Sequence, residues 1–170
     1  MIKLKTLMNE GSDAMIEKFI SLLPKYELEY HSPQESEHAF KWNGGIYPTI
    51  TDKDKIVKVA LDRTDIFSRE GSVWVGDPSR PLLNAYVIQA IVTDPEHRGK
   101  GKAREILKRI LQCADEAGLL LKLEPVPMKD FIKKGQQKLT QPQLQKWYAK
   151  YGFEKEPNAN IMIRKPSKND

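Results

Sequence analysis

The segment Asp94-Pro95-Glu96-His97-Arg98-Gly99-Lys100-Gly101-Lys102-Ala103 combines two glycines, several cations and the start of a helical pattern. Those are the parts of an anion grip. Glycines let the backbone approach a ligand closely, and successive amide N–H groups then face outward together with the positive end of the helix that follows. Such a nest suits a pyrophosphate, and Arg98, Lys100, Lys102 and Arg104 add positive charge around it. The spacing is neither G-x-x-x-x-G-K-[ST] nor G-x-G-x-x-G, so this is not a P-loop or a dinucleotide fingerprint.

Other reactive side chains are sparse. His31, His38 and His97 are too scattered for a zinc pattern, and Cys113 is the single cysteine, so no internal disulfide forms and no structural metal is expected. Cys113 falls between Ile110 and Ala114 on the apolar side of its helix, which predicts an inert core thiol. His97 reads as a solvated turn residue or as a phosphate contact. Lys129, Lys133, Lys134 and Lys138 form a basic cluster, read as a solvated loop or as a surface for a phosphate-rich acceptor.

The anion grip needs a strand before it and a helix after it, and both are legible. Asn84 to Thr93 (NAYVIQAIVT) is a nearly continuous apolar run, expected of a strand covered on both faces, and Asp94-Pro95 breaks it. Ala103, Ile106, Leu107, Ile110, Leu111 and Ala114 recur at helical spacing, predicting a helix to about Ala117 with Gly118 as its stop. Leu119 to Glu124 (LLLKLE) follows as a strand, and strand, helix and strand at this length predict a right-handed parallel crossover. Pro125 and Pro127 then remove backbone donors, so the second strand is expected to stop pairing and splay from the first.

The remaining elements frame that unit. An amphipathic helix is expected from Ser12 or Asp13, through Met15, Ile16, Phe19, Ile20 and Leu23, to Pro24. Residues 26–55 are left unassigned apart from a turn at Asn43-Gly44-Gly45. Ile56 to Leu61 and Ser72 to Val75 read as antiparallel strands, the latter ended by Gly76-Asp77-Pro78. After a basic loop, Thr140-Gln141-Pro142-Gln143 reads as a capping box that launches a helix through Leu144, Trp147, Tyr148 and Tyr151 to Gly152. Phe153 onward and Asn160 to Arg164 suggest a hairpin, followed by a polar tail expected to fray.

A chain of 170 residues with 39% hydrophobic content suits one ordinary domain. No run approaches the roughly 20 apolar residues of a membrane span, and Met1-Ile2-Lys3-Leu4-Lys5 lacks the pattern of a secretory signal. A soluble, cytoplasmic protein without membrane contact is expected. The net charge of +5 suits an anionic ligand, from a nucleotide cofactor to nucleic acid, or simply a basic solvated surface.

The string Arg98 to Ala103 resembles the acetyl-CoA signature of the GNAT superfamily, [QR]-x-x-G-x-[GA], with Arg98, Gly101 and Ala103 at its defining positions. A second stretch, Leu144-Gln-Lys-Trp147-Tyr148-Ala-Lys-Tyr151-Gly152-Phe153, looks like the helix that ends the family pattern. Ile161 to Pro166 also looks like the last strand of small members, including phage-encoded ones. The resemblance covers roughly residues 84 to 166. It implies an α/β (α+β) GNAT fold: a mixed central sheet of about six or seven strands, helices on both faces and a splayed parallel pair. One domain would span residues 1–166, with 167–170 as a flexible tail.

The resemblance also implies a mechanism. Acetyl-CoA would be the cosubstrate, its pantetheine arm lying in the wedge between the parallel strands. Cofactor contacts would come from Ile91, Val92 and Thr93 and from Arg98, Gly99, Lys100, Gly101, Lys102 and Ala103, with the Ile91 N–H polarising the thioester carbonyl. Tyr148 aligns with the tyrosine that protonates the departing thiolate in many members, with packing as its alternative role; Tyr151 is read as packing. The glutamate base of one subgroup is replaced by Val87. Glu124 is the substitute candidate, beside Gln89, a water chain or an already neutral amine, and the family's usual asparagine has Gln141 as its nearest counterpart. Trp42, Trp74, Tyr47 and Tyr86 line an acceptor pocket or fill the core, the latter favoured.

Two functions stay open at this point. One is transfer of acetyl from acetyl-CoA to a primary amine by direct attack in a ternary complex, by a monomer or homodimer. The other is a nucleic-acid-associated protein that uses the same fold for DNA modification or binding.

Overall fold

Ile16, Phe19 and Ile20 recur at three- and four-residue spacing, and the chain is helical there, over residues 15–22 (α1). The computed structural model describes residues 15–34, 37–42, 44–62, 85–126, 139–157 and 160–167. The expected caps Ser12 and Asp13, the strand Ser72 to Val75 and the lysines of the basic loop lie outside them. Pro24 ends α1 by tightening the chain into a 3-10 turn, Leu23–Tyr26, which closes on Glu27 at φ 58°.

Seven strands form the main sheet: β1 (Leu28–His31), β4 (Thr49–Asp52), β5 (Val57–Asp62), β6 (Ala85–Thr93), β7 (Leu120–Leu123), β8 (Glu154–Lys155) and β9 (Met162–Arg164). Their order is β1-β4-β5-β6-β7-β9-β8. Among the described residues only β6 and β7 run parallel. Their crossover is helix α2 (Lys102–Ala117), whose C-terminus closes on Gly118 at φ 72°, a left-handed cap that glycine adopts without strain.

Side chains alternate across the strands and sort the molecule into two faces. On one, Ile16, Phe19 and Leu23 join Leu107, Ile110, Cys113 and Ala114 of α2 over Val57, Val59, Leu61, Ile88, Leu121 and Leu123, all buried. On the other, a hairpin of β2 (Phe40–Trp42) and β3 (Gly45–Tyr47) lays Phe40 and Tyr47 against Ala60, Ala90 and Val92. This hairpin fills part of the stretch that sequence reading left unassigned. Gly44, just before β3, sits at φ 75°, the left-handed backbone that tight hairpin turns favour.

Helix α3 (Gln141–Ala149) starts on the expected capping box. The Gln143 N–H donates to Thr140 Oγ1 (3.4 Å) and the Thr140 N–H to Gln143 Oε1 (2.8 Å). Trp147, Tyr148 and Tyr151 pack on the main core beside Phe153, and β8 and β9 form the expected hairpin. Arg164 ties this end down. Its guanidinium makes a two-pronged pair with Asp115 of α2 (2.7 and 2.9 Å), and its Nε donates to the Tyr151 carbonyl (2.9 Å).

Candidate functional site

β6 is longer than its parallel neighbour, and the difference makes a gap. β7 pairs with it only from Ala85↔Leu120 to Ile88↔Leu123. Beyond that rung the β5–β6 register shifts by one residue, Ala60 facing Ala90 but Leu61 facing Ile88, which leaves Gln89 as a bulge. On the other side Pro125 comes one residue after the end of β7, and the Val126 N–H turns back to the Glu124 carbonyl (2.9 Å). The end of pairing expected before Pro125 is present, and it leaves the β6 edge from Gln89 to Thr93 without a β7 partner.

Register fixes which backbone groups face the gap. The Asp94 N–H donates to the Ile56 carbonyl (2.8 Å), and in an antiparallel ladder alternate residues bond to the same neighbour. Asp94, Val92 and Ala90 therefore turn their amides to β5, while Ile91 and Thr93 turn theirs to the gap. Thr93 has its carbonyl taken by Arg98 Nε (3.1 Å). The Ile91 N–H and C=O and the Thr93 N–H are what the gap offers an incoming strand. Val92, grouped with them on sequence grounds, instead directs its backbone to β5 and its side chain to the Phe40–Ala90 cluster.

The loop that follows is shaped by Asp94, whose carboxylate accepts from the Glu96 N–H (3.3 Å) within the 3-10 turn Pro95–His97. Gly99 and Gly101 take φ of 78° and 75°, a left-handed backbone that strains other residues. A Cβ at either would meet nothing within 4 Å, so the space above the loop is open. Gly101 is the N-cap of α2 and supplies no side-chain acceptor; the first helical bond is Glu105 N–H to Gly101 carbonyl. The amides of Lys102, Ala103 and Arg104 thus have no partner inside the helix. Lys100 is exposed beside them, and Lys102 Nζ lies 3.9 Å from Glu105.

His97 ends this turn as expected, its side chain about a third exposed at 35%, but its Nδ1 is enclosed without a hydrogen-bond partner, 3.9 Å from Asp94 Oδ2. Cys113 is the inert thiol expected: it donates to the Phe19 carbonyl (3.3 Å), and burial pushes its pKa up to about 12. Tyr47 packs on the small core; Trp74 lies outside the described residues, and for Trp42, Tyr86 and Gln89 only the backbone is described.

Tyr148 packs edge-on against Trp147 and Phe153, with ring centroids 4.9 and 5.7 Å apart. Burial pushes its phenol up to about 12, so the group keeps its proton at neutral pH. Glu124 sits exposed just past the end of β7. Gln141 opens α3 half-buried. Val87 pairs with Lys122, which sequence reading passed over although a lone cation interrupts the apolar run LLLKLE. Lys122 is only 7% exposed, and desolvation lowers its pKa. Among the described residues no group of three or more His, Cys, Asp or Glu side chains is placed to hold a metal ion, and no helix is long and apolar enough to cross a membrane.

A family model described as an acetyltransferase (GNAT) domain matches residues 52–155. No curated protein sequence matches the chain. Similar solved structures include a Pyrococcus horikoshii protein, at 18% identity and TM-score 0.42, covering 71% of this chain and 65% of that one. Another is the Escherichia coli GNAT family N-acetyltransferase YhbS in complex with CoA, at 15% identity and TM-score 0.41, covering 79% of this chain and 63% of that one. A third is a Corynebacterium glutamicum structure described as histone acetyltransferase HPA2 and related acetyltransferase, at 13% identity and TM-score 0.42, covering 94% and 91%. The chain thus spans just under two thirds of the length of the first two. The family match extends over more than half of the chain and takes in β6, the glycine loop, α2, β7 and α3: the chain belongs to the GNAT acetyltransferase family.

Proposed function

We propose that the protein transfers the acetyl group of acetyl-CoA to a primary amine by direct attack, with both substrates bound at the gap between β6 and β7. One observation carries this reading: the unpaired edge of β6 leads directly into the uncapped N-terminus of α2. An extended arm with amides along it pairs with such an edge, and a pyrophosphate at its end meets the amides of Lys102, Ala103 and Arg104 and the charge of Lys100. Gly99 and Gly101 keep side chains out of that space.

The Ile91 N–H is the donor suited to the thioester carbonyl, stabilising negative charge as the amine attacks. Tyr148 serves the leaving group. A phenol with pKa about 12 is protonated at every working pH, so it always offers a hydrogen bond. Complete proton transfer to a thiolate, whose thiol has an ordinary pKa near ~8.5, runs uphill. Tyr148 therefore acts chiefly as a hydrogen-bond donor to the developing thiolate, and the proton that finally stays on sulfur comes from the attacking amine through solvent. Glu124, exposed just past the end of β7, is the carboxylate we assign to start that relay.

Calorimetry with acetyl-CoA, followed by a thiol-release assay with a panel of amines, tests the reading. Binding is expected in the micromolar range, about −8 kcal/mol. No heat and no thermal shift at millimolar acetyl-CoA would sink it.

A further inference from the structure

Lys122 lies in the middle of β7, one rung from Ile88↔Leu123, the last pair before the parallel strands separate. Leu121 and Leu123 on either side of it point into the core under α2, so Lys122 points to the opposite face. Its sheet neighbours there are Val87 and Ile163, both apolar. Buried ammonium groups are normally paired. This one makes no hydrogen bond and no ion pair with any described residue; the charge of Glu156 acts on it only from beyond ion-pair distance. Yet the sole fully enclosed side-chain polar atom without a partner among the described residues is His97 Nδ1. The Lys122 ammonium therefore still reaches an opening, at the end of a buried stem.

The core side of the gap is closed, because Leu107 and Ile110 of α2 fill it over Ile88, Leu121 and Leu123. An amine approaching the apex must come from the other face, past Lys122. We infer that Lys122 holds an anionic group, a carboxylate or a phosphate, on the amine acceptor, so that the substrates are small amines carrying a negative charge a few bonds from the reacting nitrogen. The inference rests on the acetyl-transfer reading above. A desolvated cation with no hydrogen bond or close ion pair of its own, its nearest opposite charge being the more distant Glu156, gains most from such a guest, and a simple diamine would meet repulsion instead.

The test uses matched probes titrated into the CoA-saturated protein: lysine against cadaverine for a carboxylate, and O-phosphoethanolamine against ethanolamine for a phosphate. In at least one pair the anion-bearing member is expected to bind the wild type at least about 10-fold more tightly. The preference should vanish in Lys122→Met and persist in Lys122→Arg, which keeps the charge if methionine disturbs the fold. Equal binding within both pairs, or a preference that survives Lys122→Met, overturns the inference. Failure of wild-type protein to bind CoA at all is a separate result, and it strikes the acetyl-transfer reading.

Discussion

Arg164 and Lys122 stand on neighbouring strands, and each is 7% exposed. They point to opposite faces, and their surroundings differ completely. Arg164 is answered on every side: Asp115 takes two of its nitrogens, the Tyr151 carbonyl takes the third, and the same carboxylate also accepts from the Ser167 N–H (2.8 Å). Lys122 has no hydrogen bond and no ion pair in the described chain, and only the more distant charge of Glu156 acts on it. The two ends of α2 repeat the contrast, since the Gly118 N–H closes the C-terminus on Ala114 and Asp115 while Gly101 leaves the N-terminus uncapped. Where the fold holds itself together, polar groups are satisfied internally. Where they are left open, they line the gap between β6 and β7 and its continuation into the glycine loop.

If that division holds, removing a group from the closed side must damage the fold. Arg164→Met strands Asp115 with little solvent and frees the turn after α3, and should cost about 3 kcal/mol, read as a lower urea midpoint. A cost under about 1 kcal/mol would erase the distinction from the closed side. Gly101→Asp probes the open side. A Cβ there meets nothing, so the fold should lose only about 1 kcal/mol from the left-handed backbone. The new carboxylate, however, competes for the α2 amides, and acetyl-CoA affinity should fall at least about 100-fold, or about 2.7 kcal/mol by calorimetry. Normal affinity would place the anion elsewhere.

The elements themselves were more legible in the sequence than the contacts between them. The strand before the glycine loop, α2 and its Gly118 stop, the parallel return and the capping box of α3 all follow from periodicity and local caps, and all are present. Local patterns write such features directly. The bulge at Gln89 was invisible because it is a mismatch between two strands, and neither strand carries a glycine or proline to mark it. The β2–β3 hairpin was missed although Asn43-Gly44 announced it, because its flanking strands are only three residues each and show no clear alternation. Arg98 read as a phosphate ligand from its charge and its place in the glycine signature; its bond to the Thr93 carbonyl depends on how the loop folds back on β6. Lys122 was written into the sequence as a break in an apolar strand, but its isolation is a three-dimensional fact.

Tyr148→Phe sharpens the chemistry of the open side. Because burial keeps the phenol protonated and limits it to donating a hydrogen bond, the loss in kcat should be modest, about 30-fold or ~2 kcal/mol, with acetyl-CoA affinity unchanged. An unchanged kcat would leave the ring with packing alone. A drop beyond about 1,000-fold would mean complete proton transfer from this residue after all.

The smallest effect carries the opposite sign. Lys122→Met removes a desolvated charge that the more distant Glu156 offsets only in part, so the ligand-free protein should gain stability, by about 1 kcal/mol. The folded-state pKa of Lys122 lies below its ordinary value of 10.5 because burial disfavours the charged form. Between those two values the unfolded chain binds more protons than the folded one, so wild-type stability rises with pH across that window. Below the folded pKa the penalty is present in full and constant. The advantage of Lys122→Met should therefore be greatest at neutral pH and shrink as pH climbs toward 10.5. Paired urea titrations at neutral and alkaline pH measure it. If the substitution instead costs stability at every pH, the lysine holds the fold together as Arg164 does, and the division between the two faces fails at its most exposed point.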